Sequence, residues 1–148
     1  MIGVAEVLLT TLGEAYDRKG WHGPTLRGAL RGVTSREALW RPKGERHNIW
    51  ELTLHCAYWK FVVCRRLTHD RRGKFPMKGS NFFPSGEGHW RDAVRLLDEE
   101  HARLRSAIEA LPKATFNDRK RVRMIYGIAA HDLYHAGQIQ LLKRLQRS

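Results

Sequence analysis

Residues 118–146 read DRKRVRMIYGIAAHDLYHAGQIQLLKRLQ. Met124, Ile128, His131, His135, Gln138, Leu142 and Leu145 recur here at steps of three, four or seven, the period of one helical face. At 100° per residue, Met124, His131, His135, Gln138, Leu142 and Leu145 fall within about 80° of one another. Two imidazoles and an amide therefore lie in an apolar stripe that should face a core. Working outward, three earlier segments show the same period. Ile2–Lys19 carries Ala5, Leu8, Leu9, Leu12, Ala15 and Tyr16, and Gly20 ends it. Asn48–His69 carries Leu52, Cys56, Trp59, Val63 and Leu67, followed by the breakers Gly73 and Pro76. Glu87–Leu111 carries Trp90, Val94, Leu97, His101, Leu104, Ile108 and Leu111, and Pro112 stops it.

Strand signals are absent, so the chain reads as all-α. Its 148 residues make one domain, residues 1–148, long enough to bury a sizeable core. Four amphipathic helices in one domain predict a four-helix bundle. The third link, Pro112–Asn117, is short. The links between helices one and two (His22–His47) and two and three (Asp70–Gly86) are long. Pro24 and Ser35 can each start a short helical turn in the first. Long links permit crossovers, so an up-down-up-down order is not required. No internal repeat or low-complexity tail is present.

Charge and cysteine narrow the partners. The net charge is +12, from 27 Lys+Arg against 15 Asp+Glu, which favours anionic partners. The basic residues are dispersed, and several close predicted helices, where cations complement the dipole. Without a base-reading motif, nucleic acid is the weaker candidate, and an anionic small-molecule substrate suits the charge equally. Cys56 and Cys64 lie about 12 Å apart along one helix, beyond disulfide reach, and read as two buried apolar residues. No run approaches the ~18 residues of a membrane span, and no leader pattern opens the chain. A cytoplasmic protein without a membrane partner is expected.

The histidines carry the functional signal. His131 and His135, four apart, stand one above the other on one helical face, which lets both reach one metal ion. Burying either without a partner would cost a few kcal/mol. The plain alternative is a pair of core histidines bonded to backbone or water. His55 borders the apolar stripe of helix two, between Leu52 and Trp59, and supplies a third imidazole. His101, in the helix-three stripe, is its rival as third or fourth ligand. His47 lies near the start of helix two, and His22 in a loop able to reach the bundle mouth. His69 and His89 read as exposed helix-end residues. Glu51, one turn before His55, is the candidate general base or ligand partner, with a solvated helix residue as the alternative. Asp132 follows His131 directly and points about 100° away from it. Tyr134 and Gln138 are candidates for hydrogen-bonding a substrate. Trp21, Trp40, Trp50, Phe82 and Phe83 could wall a pocket, whereas Trp59 and Trp90 read as core.

Ile49-Trp50-Glu51-Leu52-Thr53-Leu54-His55-Cys56-Ala57-Tyr58-Trp59 and His131-Asp132-Leu133-Tyr134-His135-Ala136-Gly137-Gln138-Ile139 resemble the helix-two and helix-four signatures of the DinB/YfiT-like superfamily. The Trp21-His22-Gly23-Pro24 stretch and the Trp90 helix start are similar as well. The resemblance implies a four-helix bundle of unusual helix order. It also implies a divalent metal on His55, His131 and His135, favouring His55 over His101, and a tendency to form homodimers. Relatives include thiol-dependent S-transferases and a mycothiol-dependent isomerase, in which the metal activates the sulfur of a low-molecular-weight thiol. The expectation is therefore a metal-dependent enzyme of S-transferase type. The alternatives are a metal-dependent hydrolase, or a binding module that holds a structural metal or nucleic acid. Zinc is the first choice of ion, with nickel, iron or manganese as substitutes; imidazole ligands alone do not discriminate among such metals.

Overall fold

A computed structural model describes residues 1–148. The chain is all-helical: α1 (Val4–Tyr16), α2 (Leu26–Ala29), α3 (Ser35–Leu39), α4 (Ile49–Thr68), α5 (Trp90–Glu109) and α6 (Arg119–Arg147), with a 3-10 turn at Lys113–Asn117. The four long helices match the four periodic segments, each trimmed by one to three residues at most ends. The two short helices fall in the first long link. Each starts one residue after a capping threonine: Thr25 Oγ1 accepts from the Gly28 N–H, and Thr34 forms a capping box with Glu37.

Local chemistry sets the ends of the helices that build the site. The Asn48 side chain accepts from the Glu51 N–H, and Glu51 reaches back to the Asn48 N–H. This reciprocal box satisfies two donors that a helix start leaves unpaired. His69 closes α4 in the left-handed region at φ 57°, a helix stop usually taken by Gly or Asn. Asp118 caps α6 by accepting from the Lys120 and Arg121 N–H groups.

The bundle has α4 beside α5 and α6, and α1 beside α6 and α5. Trp50 packs on Trp90, and ten residues later Lys60 reaches His101, so α4 and α5 run parallel. Parallel neighbours need a returning link, which is why residues 69–89 form a long crossover. His55 faces His131, while His69 meets Arg121, so α4 and α6 are antiparallel.

The core is divided along its length. One apolar cluster holds Leu26, Ile49, Trp50, Leu52, Leu54, Leu97 and Ile139 among others. The second holds Leu8, Leu12, Val63, Leu67, Leu104, Ile108, Ile125 and Ile128. Between them lies a buried polar layer of Lys60, His101 and Asp132. The buried face of α6 comprises Ile125, Ile128, Ala129, Asp132, His135, Ala136, Ile139 and Leu142. It is therefore rotated from the stripe read in the sequence. Leu145 is exposed, and Asp132, on the face away from His131, lies in the core because α1 and α4 close over that side. No helix is long and apolar enough to cross a membrane. Both cysteines are free and buried.

Candidate metal centre

Helix α4 carries His55, and α6 carries His131 and His135 one turn apart. Antiparallel packing sets the three rings against each other where the helices meet. The His55 Nε2 lies 3.0 Å from the His131 Nε2, which lies 3.1 Å from the His135 Nε2. His55 and His135 are each only 6% exposed, and His131 is half-buried.

Proton positions decide what these contacts are. The Asn81 carbonyl lies 2.8 Å from the His55 Nδ1. A carbonyl only accepts, so Nδ1 carries the proton and Nε2 presents a lone pair. The Gln138 Oε1 lies 2.7 Å from the His135 Nδ1 and fixes the same tautomer there. Two lone pairs therefore point at one nitrogen of His131, whose single proton could satisfy only one of them. The His131 Nδ1 is itself buried without a partner. Three nitrogens converge with too few protons between them. Tetrahedral zinc, with Zn–N of about 2.0–2.1 Å, places its nitrogen ligands about 3.3 Å apart, close to the spacing seen. One ring nitrogen from each of His55, His131 and His135 lies within 4.8 Å of the other two, a group able to hold a metal ion.

The electrostatics favour the same state. Burial pushes the His131 pKa down to about 3, helped by His135, His55 and Lys60. Burial likewise brings His135 down to about 4, against the opposing bond to Gln138. His55 is lowered by burial too, although the Asn81 carbonyl opposes the shift. All three are neutral at neutral pH, as metal ligands must be.

A second trio, Cys56, His131 and Asp132, also has its ligand atoms within 4.8 Å. It differs in charge. The Lys60 ammonium donates to the Asp132 carboxylate at 2.5 Å, both groups being wholly buried, and a cation already fills that role. Burial pushes the Asp132 carboxyl up while Lys60 holds it down. The Lys60 Nζ also lies 3.3 Å from the His101 Nδ1, and the His101 ring stacks on Tyr16 at 3.7 Å. Burial, then Lys60, brings the His101 pKa down to about 3. His101 thus belongs to the lysine cluster and does not join the three-histidine group.

The other candidates are placed around this centre. Glu51 accepts from Arg41 at 2.6 and 2.9 Å and from the Asn48 N–H at 3.3 Å, and its Oε2 lies 2.9 Å from the His47 Nδ1. Burial would raise its carboxyl, but Arg41, His47 and the Asn48 N–H outweigh it and the pKa is lowered. Gln138 holds His135 through Nδ1. Tyr134 is 66% exposed and meets the His135 ring edge-on at 5.0 Å. His22, His69 and His89 lie on the surface. Trp90 packs against the core and bonds the Val33 carbonyl at 2.8 Å, whereas Trp21 is fully exposed.

Two contributors were not singled out in the sequence. Asn81 supplies the carbonyl that orients His55, and its loop gave no sign of it. Lys60 occupies a buried position in a helix where pattern reading assigns lysine to solvent.

A family model described as the DinB superfamily matches residues 20–139, and the chain belongs to that superfamily. The match includes all three histidines. No curated protein and no solved structure matches the chain significantly.

Proposed function

We propose that this member of the DinB superfamily is a metal-dependent enzyme that presents a low-molecular-weight thiol to an electrophile, as an S-transferase does. One observation carries the reading. Three neutral imidazole nitrogens converge on a point with no fourth side-chain ligand in the group, which leaves a coordination position for an exogenous ligand. A divalent ion held there supplies Lewis acidity, lowering the pKa of a thiol or water bound to it.

The chain's own residues supply the rest. His55, His131 and His135 hold the ion as neutral ligands, so its charge is undiminished. The Asn81 carbonyl and Gln138 fix two of the three rings. Phe82 stacks on His55 at 4.1 Å and excludes water from that face. Tyr134, exposed beside His135, would hydrogen-bond an incoming substrate. Glu51 would act as a general base only after releasing Arg41 and His47, so we assign it to holding His47 and the start of α4. Exposed Tyr126, Leu141 and Leu145 along α6 support a homodimer.

The test is thiol consumption by the zinc-loaded protein across a panel of thiols and electrophiles. Metal-dependent conjugation abolished by His135→Ala is expected. Hydrolysis of ester or amide substrates with no thiol requirement would replace this chemistry with that of a hydrolase. A loaded protein inactive in both screens would count against an enzyme.

A further inference from the structure

We infer that Asn81 is a positioning residue for His55, its side chain locking the loop carbonyl that selects which ring nitrogen faces the metal. This rests on the three-histidine metal reading. Asn81 sits in the long crossover at φ 70°, in the left-handed region. Among non-glycine residues, Asn and Asp tolerate this conformation best. Its main-chain oxygen accepts from the His55 Nδ1 at 2.8 Å. Its side-chain oxygen accepts from the Trp59 Nε1 at 2.9 Å. His55 and Trp59 lie one helical turn apart on α4, so one loop residue grips two consecutive turns. Two bonds from opposite ends of the same residue leave its carbonyl little freedom to turn away.

The neighbouring residue completes the clamp. Phe82 is sandwiched between His47, at 3.8 Å, and His55, at 4.1 Å, with both ring pairs nearly parallel. His47 is held in turn by Glu51 at 2.9 Å. The stack fixes the plane of the His55 ring, and the Asn81 carbonyl fixes its rotation and tautomer within that plane. Stacking alone would leave the ring free to flip and offer Nδ1. Among the left-handed non-glycine residues Glu45, His69 and Asn81, Asn81 is the one whose main chain contacts a member of the metal group.

The test titrates Co²⁺ into wild type, Asn81→Ala, Asn81→Asp and Trp59→Phe, reading affinity by chelator competition and ligand geometry by the visible Co²⁺ spectrum. Asn81→Asp keeps an acceptor for Trp59 and tolerates the left-handed backbone, so it should match wild type. Asn81→Ala and Trp59→Phe keep the carbonyl but release it, so each should weaken binding by up to the about 10–100-fold that losing an outer partner of a metal ligand costs, and should alter the spectrum. If Asn81→Ala fails to fold, Trp59→Phe decides alone, because it removes the same hydrogen bond without touching the loop backbone. Wild-type affinity and spectrum in Trp59→Phe would overturn the inference while leaving the metal centre intact. Wild type that binds no Co²⁺ would overturn the metal reading and the inference together.

Discussion

Two buried polar clusters lie side by side between α4 and α6, and they solve the same problem differently. In one, Lys60 donates to Asp132 and approaches His101. Its charges are opposite, and protein groups supply both partners. In the other, His55, His131 and His135 aim like atoms at each other, with lone pairs in excess of protons. The first cluster is closed in charge, although the Asp132 Oδ1 is left without a hydrogen-bond partner, and the second calls for a cation from outside. The difference separates a polar layer that specifies packing from a polar group built to bind.

The largest expected effect lies in the closed cluster. Lys60→Met leaves Asp132 buried and unpaired, and should destabilise the fold by about 3–5 kcal/mol, read by urea denaturation. That is a large share of the roughly 5–15 kcal/mol available to a domain. The double variant Lys60→Met/Asp132→Leu should recover most of the loss. A double variant as unstable as the single would show that the pair does more than neutralise itself.

The open cluster predicts a different ranking. Adding zinc at a thousand times its Kd should stabilise the fold by about 4 kcal/mol, roughly 8–16 °C in Tm at this chain length. Lys60 offers no such response. In His135→Ala the zinc-dependent shift should vanish, while the metal-free protein loses only about 1 kcal/mol, the ordinary cost of a substitution. An unchanged zinc response would remove His135 from the ligand set.

Acid should sharpen the contrast further. His101, His131 and His135 have pKa values lowered to about 3, 3 and 4 from an ordinary 6.5. The unfolded chain therefore binds more protons below pH 6.5. Stability conferred by these groups is complete above that value and is lost as pH falls from about 6.5 toward 3. Denaturation midpoints at stepped pH should decline across this window, and zinc should oppose the decline until the ligands protonate. In His101→Phe part of the acid sensitivity should disappear with the zinc response intact. The smallest effect belongs outside both clusters: Asp118→Ala, removing the α6 cap, should cost about 1 kcal/mol and leave zinc affinity unchanged.

Much of this was legible in the chain. The 3.6-residue period located four long helices because each buries one continuous apolar face. Spacing alone put His131 and His135 on one helix turn, and the family resemblance selected His55 over His101. What periodicity does not encode is tertiary partnership. Lys60 reads as a solvent residue until α6 brings Asp132 against it, 72 positions away. For the same reason Asp132 reads as an off-face carboxylate. Asn81 lies in a loop without periodicity, and its role depends on a left-handed backbone angle that asparagine permits but does not dictate. Glu51 was legible as a neighbour of His55, yet the capping box and Arg41 that engage it depend on how the preceding link folds.

The central claim is that His55, His131 and His135 hold a divalent ion. It is tested most directly by metal analysis of the purified wild-type chain after zinc loading and dialysis, with His55→Ala, His131→Ala and His135→Ala in parallel. One tightly held ion per wild-type chain and a marked loss in all three variants are predicted. A wild-type chain without retained zinc, or variants that keep the full ion, would contradict it.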